Sequence, residues 1–313
     1  MAAAYYCISL ALAPLLFGVI NRVKAKFAGR RGKPYLQLYY DLAKLCRKGE
    51  VYSTTTSWVF KAMPPVSVGC ALAAFLFVPL GGAQALASFT GDFFLAAYLL
   101  SMARFATILA ALDTGSAFEG MGASREAAFS ALAEPVLLVG MVALAMTVGS
   151  FSLTQLIAPF TASGWNSYWP VLLLLGCSFF LVLLSENSRI PVDDPNTHLE
   201  LTMIHEVMIL DHSGVDLAFI EFASALKLWF FCAVVSGVIL PDITVLVGTS
   251  GVYHDMLGTP PVRLLLSLVG IFSVAACVGL TESILARLRL LRVPQLLGLA
   301  GAFAALACIF CLR

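Results

Sequence analysis

SENSRIPVDDPNTHLELTMIHEVMILDHSG, residues 185–214, is a polar island in a strongly apolar chain, and its place between apolar runs decides how the rest is read. It carries Glu186, Arg189, Asp193, Asp194, Glu200, Glu206 and Asp211, with three of the four histidines, His198, His205 and His212. The runs on either side are long enough to cross a bilayer, which makes this segment a wet crossover between membrane spans.

Composition agrees. Of 313 residues 60% are hydrophobic and 12% charged, with a mean hydropathy of +0.92, whereas soluble domains are about a quarter charged. The expectation is an all-α, polytopic membrane protein forming one transmembrane domain over residues 1–313. The net charge of +1 gives no basic surface for a nucleic acid. No cleavable signal peptide is expected, because the run over 2–20 lacks a basic leader and ends in a basic segment. Eight cysteines are present. Apart from Cys46 they lie in apolar runs, and the close pair Cys308 and Cys311 has no second pair beside it. Neither an iron–sulfur cluster nor another metal site is therefore expected in this chain.

A helix needs about 20 mostly apolar residues to cross the hydrocarbon layer. Eight stretches qualify: roughly 2–20, 66–88, 93–112, 127–150, 168–185, 217–240, 262–285 and 293–312. An even count puts both termini on one side. The alternate loops 21–65, 113–126, 186–216 and 286–292 then hold fifteen of the 19 lysines and arginines. By the positive-inside rule those loops are cytoplasmic and both termini are outside.

The first of these loops contains an amphipathic helix: Tyr35, Leu38, Tyr39, Leu42 and Leu45 recur at helical spacing, with Asp41, Lys44, Arg47 and Lys48 elsewhere on the wheel. Its basic residues, among them Arg30 and Arg31, have two readings. They fix orientation and bind anionic membrane lipid, or they dock a soluble partner.

Four ionisable residues fall well inside spans: Arg104, Glu134, Glu221 and Lys227. Glu134 lies nine residues beyond Arg125, roughly 13 Å into the layer, too deep for a carboxylate to reach the headgroups. Such residues mark either an ion path or a buried ion pair. Glu221 and Lys227, six apart, point to different sides of one helix and do not pair. Further acids stand where spans meet the cytoplasm: Asp113, Glu119, Glu126, Glu186, Asp216 and Glu282. Carboxyls at such places exchange protons near neutral pH when desolvation raises their pKa, and a row of them makes a water-linked path. His198, His205 and His212 recur every seven residues. On one helix, predicted over 197–210, neighbours would be about 10.5 Å apart along the axis, too far to ligate a metal. They form either a water-bridged relay or surface histidines. No phosphate loop, Ser-His-Asp set or dinucleotide fingerprint is present, so catalysis within this chain has no support.

RRGKP at 30–34, LDTGSAFEGMGASREA at 112–127, Glu134-Pro135, the crossover, and ESILARLRL at 282–290 together resemble the first-subunit family of respiratory NADH dehydrogenase (complex I) and its relatives in group 4 nickel–iron hydrogenases. The likeness is to the hydrogenase-type branch, that of hydrogenase-4 component C and formate hydrogenlyase. It implies an eight-helix subunit anchoring a redox arm, with a hydrogenase-like large subunit and iron–sulfur small subunits, to antiporter-like membrane subunits in a bacterial or archaeal inner membrane. No cofactor is implied in this chain. Iron–sulfur clusters, and a nickel–iron centre where the partner is a working hydrogenase, belong to the partners. In the family the crossover reads ExxRxPFDxxExExEL. Glu186, Arg189, Pro191, Asp193, Glu200 and Leu201 match it, whereas Val192, Asn196 and His198 replace an aromatic residue and two glutamates, and His212 stands where a tyrosine is usual. The resemblance brings Asp193, Glu200 and Glu206 into the expected ion path, and Arg189 and Asp211 join Arg30 and Arg31 as expected docking residues. It leaves three functions open: redox-driven proton or sodium translocation, quinone reduction beneath the crossover, and stand-alone transport. The last is disfavoured by the lack of an internal repeat.

Overall fold

The computed structural model describes residues 2–158, 162–193, 203–240 and 259–312. Every regular element among them is a helix. Seven are long and apolar enough to cross a membrane, and a bent pair supplies an eighth span. Helices are what a lipid solvent demands, since they bond every backbone group within the segment.

The bent pair is α1 (Ala2–Leu12) and α2 (Leu15–Phe27), which meet at Pro14 with a 41° bend. α2 carries Arg22, Lys24 and Lys26 as helical residues rather than loop. The amphipathic helix is α3 (Gln37–Leu45). The Tyr39 hydroxyl on α3 donates to the Ala11 carbonyl, one of those freed where α1 stops.

The second span differs from its expected range. α4 runs over Trp58–Phe75, not 66–88. Pro64 and Pro65, which look like a boundary in sequence, lie inside the helix, where proline is tolerated in a bilayer. Ser57 caps the start by accepting from Val59 N at 3.2 Å. Gly81 and Gly82, both at positive φ, turn the chain after the helix, and Phe77 and Leu80 pack in the core without being helical.

α5 (Asp92–Asp113) follows, and then α6 (Ala117–Val148). The expected loop over 113–126 shrinks to a turn around Gly115, so Glu119 and Glu126 sit on a helix. At 32 residues α6 is about 48 Å long against a hydrocarbon layer of about 30 Å. The helix is thus about a dozen residues longer than a crossing needs.

A short helix α7 (Leu153–Leu156) leads to α8 (Ala162–Glu186), and beyond the crossover come α9 (His205–Met208) and α10 (Gly214–Ile239). The helix expected over 197–210 is not formed as such. Met203 and Ile204 are non-helical and α9 has four residues, so His205 and His212 share no helix face. His198 and Glu200 lie outside the described residues. The chain ends with α11 (Pro260–Ile284) and α12 (Val293–Cys311).

α10 is the hub. It packs on α4, α8 and α11, and 72% of its apolar window is buried against 28–50% for the other spans. Trp229, Phe231 and Leu228 fill that centre with under 2% exposure. A helix apolar nearly all round is an interior one, and the charged residues well inside α10, Glu221 and Lys227, thereby face protein.

Candidate functional site

Helices α5, α6, α8 and α10 bring charged side chains to one place. Arg104, from the middle of α5, reaches three carboxylates. Its Nη1 lies 3.1 Å from Glu134 Oε1, its Nε 3.5 Å from Glu126 Oε1, and its Nη2 donates to Glu186 Oε2 at the end of α8. Lys227 of α10 places a second cation 3.0 Å from that same Glu186 oxygen. Ser101 Oγ donates to Glu134 Oε1 at 2.7 Å. Arg104, Glu126 and Glu186 have side chains under a tenth exposed, whereas Glu134 is 36% exposed. Buried charges survive only when paired, so the row is one electrostatic unit.

Beside it lies a cavity with about 50 Å³ of room for water-sized molecules, lined by Arg104, Glu126, Glu186, His205, Ser224 and Lys227 among others. That is space for on the order of three to five waters. A separate, smaller cavity is lined by Glu134, Arg104 and Tyr98, and another by Glu126, Ser130 and Ser188. Glu186 lines all three.

A second network ties the crossover to α2 and α11. Glu282 takes Lys24 at 2.8 Å and Arg189 at 3.5 Å, and the Arg189 guanidinium lies 4.5 Å from the centre of the Phe17 ring. Asp193 pairs with Arg287 at 2.8 Å and accepts from the backbone N–H of Ile204 and of His205. Burial holds the His205 imidazole down to about 4, with the positive charges of Lys227 and Arg189 adding to it. Burial also lifts the Glu206 carboxyl to about 7, helped by Glu221 and Asp193 and opposed by Arg189.

At the crossover end of the spans other acids do structural work. Asp113 accepts from Ser57 N, Ser57 Oγ and Phe60 N, which fastens the start of α4. Glu119 accepts from Asp211 N at 3.2 Å, and Asp216 accepts from the Tyr52 hydroxyl at 2.9 Å. His212 stacks on Phe60 at 4.1 Å with the rings 7° apart. Its burial pushes the imidazole down to about 4.

The structure thus brings Glu134, Glu126, Glu186, Arg104, Lys227 and His205 into one site. Glu282, Asp193, Glu206 and Glu221 gather around Arg189 in a second group, and Asp113, Glu119 and His212 lie outside both. Arg30, Arg31 and Asp211 are exposed, but Arg189 is 5% exposed, so a docking contact through it is not open in this fold. Sequence reading missed Lys24 and Arg287 as partners of Glu282 and Asp193, because nothing local marks a pair spanning helices. It also missed Asp92, fully buried, which accepts from Ser152 Oγ and Leu153 N. Standing just before a predicted span, Asp92 looks solvated.

Fold and site first define a class: a multi-pass helical membrane protein with a charged row buried beside a small wet cavity. Residues 1–312 match the family model described as NADH dehydrogenase, and the chain belongs to that family. It is similar to hydrogenase-4 component C of Escherichia coli (strain K12), at 32% identity over 311 residues, 99% of this chain and 94% of that protein. Formate hydrogenlyase subunit 4 of the same organism is 30% identical over 304 residues, 95% and 93% of the two chains. An NADH-quinone oxidoreductase subunit from Rubrobacter xylanophilus is 28% identical over 233 residues, 68% and 69%. A chain in the solved structure of the membrane-bound sulfane sulfur reductase, an archaeal respiratory membrane complex, superposes with a TM-score of 0.81 at 20% identity, covering 99% of this chain and 98% of that one. That likeness speaks for the fold.

Proposed function

We propose that this chain is the membrane anchor and coupling subunit of a redox-driven, ion-translocating complex of the group 4 hydrogenase and complex I type. It sits in the inner membrane with both termini outside. Iron–sulfur partners and a hydrogenase-like large subunit dock on the crossover side, where Arg30, Arg31 and Asp211 are exposed. Electron transfer on those partners changes the charge felt by the crossover. The change passes through His205 and Lys227 to Glu186, and a proton or sodium ion moves between Glu186 and Glu134 toward antiporter-like neighbours.

The observation that carries this reading is the continuity of the row: Glu186 lines all three cavities described above and joins Lys227 to Arg104, which in turn holds Glu134. The described cavity has room for a few waters, which suits ion transfer better than a quinone ring. To test the assignment, the complex is purified through a tag on this chain and its subunits are identified by mass spectrometry. Proteoliposomes holding the whole complex should take up ions when reductant is supplied, and liposomes with this chain alone should not. Uptake by the isolated chain would favour a stand-alone transporter.

A further inference from the structure

The charges of the buried row do not balance. Arg104 and Lys227 face Glu126, Glu134 and Glu186, two cations against three carboxylates. The other titratable group lining the cavity beside the row, His205, is neutral at pH 7. Asp193, on the turn after α8, has its own cation in Arg287. Glu126 and Glu186 are under a tenth exposed and Glu134 about a third; charges held this far from water are costly when unmatched, so one of the three carboxyls carries a proton.

Geometry distinguishes them. Glu186 has both cations on one oxygen. Glu134 accepts from Ser101 and from Arg104, at 2.7 and 3.1 Å. Glu126 has only the 3.5 Å approach of Arg104 Nε, and that buried nitrogen makes no hydrogen bond among the described residues. A charged carboxylate beside a bare guanidinium N–H would close to hydrogen-bond distance.

We propose that Glu126 is the resident proton carrier of the row and that Arg104 is the positioning residue governing its release. This rests on the coupling function proposed above. Glu126 lines two of the cavities and Glu186 all three, whereas Glu134 lines the one it shares with Arg104 and Tyr98. Glu126 and Glu134 are eight residues apart, about 12 Å along α6, so the proton travels over Glu186 and cavity water. Glu126 becomes a carboxylate, Glu134 becomes a carboxylic acid, and Arg104 shifts its hydrogen bonds from Glu134 to Glu126. Charge is conserved throughout. The protonated form of Glu126 is refilled from the cavity it shares with Ser130 and Ser188.

Two measurements on the assembled complex test this. The infrared difference spectrum between wild type and Glu126→Gln should show the carbonyl stretch of a protonated carboxylic acid at pH 7, and the same difference for Glu134→Gln should show a carboxylate. In proteoliposomes driven by dithionite-reduced methyl viologen, Glu126→Gln should lose ion uptake while viologen oxidation continues, and Glu126→Asp should restore part of the uptake. A carboxylate signature at Glu126, or wild-type uptake per electron in Glu126→Gln, overturns the proposal. The infrared result stands apart from transport, so failure of the coupling function, seen as unimpaired uptake in Glu134→Gln, is told apart from failure of this assignment.

Discussion

Lys227 on α10 reaches Oε2 of Glu186 on α8 across 3.0 Å, and it does so on the oxygen that Arg104 already holds. The two spans on either side of the crossover are thereby fastened through one atom. The pairing explains how a lysine survives inside the most buried helix of the fold.

Removing one member of such a pair is expected to be more damaging than removing both. Lys227→Met leaves Glu186 with one cation fewer and should destabilise the solubilised protein by about 3–5 kcal/mol. Lys227→Met combined with Glu186→Gln should cost less than the sum of the single changes. A double-mutant cycle on thermal unfolding reads this directly.

The crossing of α2 and α11 sets the second network. A Cβ on Gly279 would lie 2.9 Å from Val23 Cβ and 3.0 Å from the Ile20 carbonyl oxygen. Gly279→Val therefore pushes α2 away and lengthens the Lys24 to Glu282 pair one turn further on. The expected loss is about 1–3 kcal/mol, whereas Gly298→Ala on α12, where a Cβ meets nothing within 4 Å, should be close to neutral. Melting temperatures of the two variants make the comparison.

The crossover should respond to pH through groups of opposite sign, His205 and His212 on the acid side and Glu206 on the alkaline side. Folded His212 stays neutral down to about 4 against an ordinary 6.5. The unfolded chain binds more protons between those values, so stability falls as pH drops from 6.5 toward 4. Folded Glu206 keeps its proton up to about 7 against an ordinary 4.5. Its contribution is present below 4.5 and is lost as pH rises toward 7. Hydrogen exchange over 203–213 should accordingly slow in Glu206→Gln at pH 8, and His212→Phe, which keeps the stack on Phe60, should shrink the acid limb, with His205 supplying the remainder.

Much of this was legible in the sequence. Apolar run lengths give eight spans, and the buried carboxylates and cations stand out because a bilayer tolerates few of them. The register of α4 and α6 was not, because Pro64-Pro65 reads as a break and 113–126 is too polar to look like a span. Both segments are helical since α4 is capped by Ser57 and α6 extends beyond the hydrocarbon. Nor could spacing assign partners. Arg104 meets Glu134, Glu126 and Glu186 through the packing of three helices, and Glu221 turns instead toward the neighbourhood of Arg189. Even spacing of His205 and His212 suggested one face, but a four-residue α9 separates them.

Coupling through the buried row stands or falls on the number of ions taken up per electron in proteoliposomes whose complex carries Glu134→Gln. The amide keeps the shape and the Ser101 contact but cannot carry a proton or bind a cation as a carboxylate does. Redox turnover should continue with ion uptake abolished. Wild-type uptake per electron at wild-type turnover would show that ions take another route.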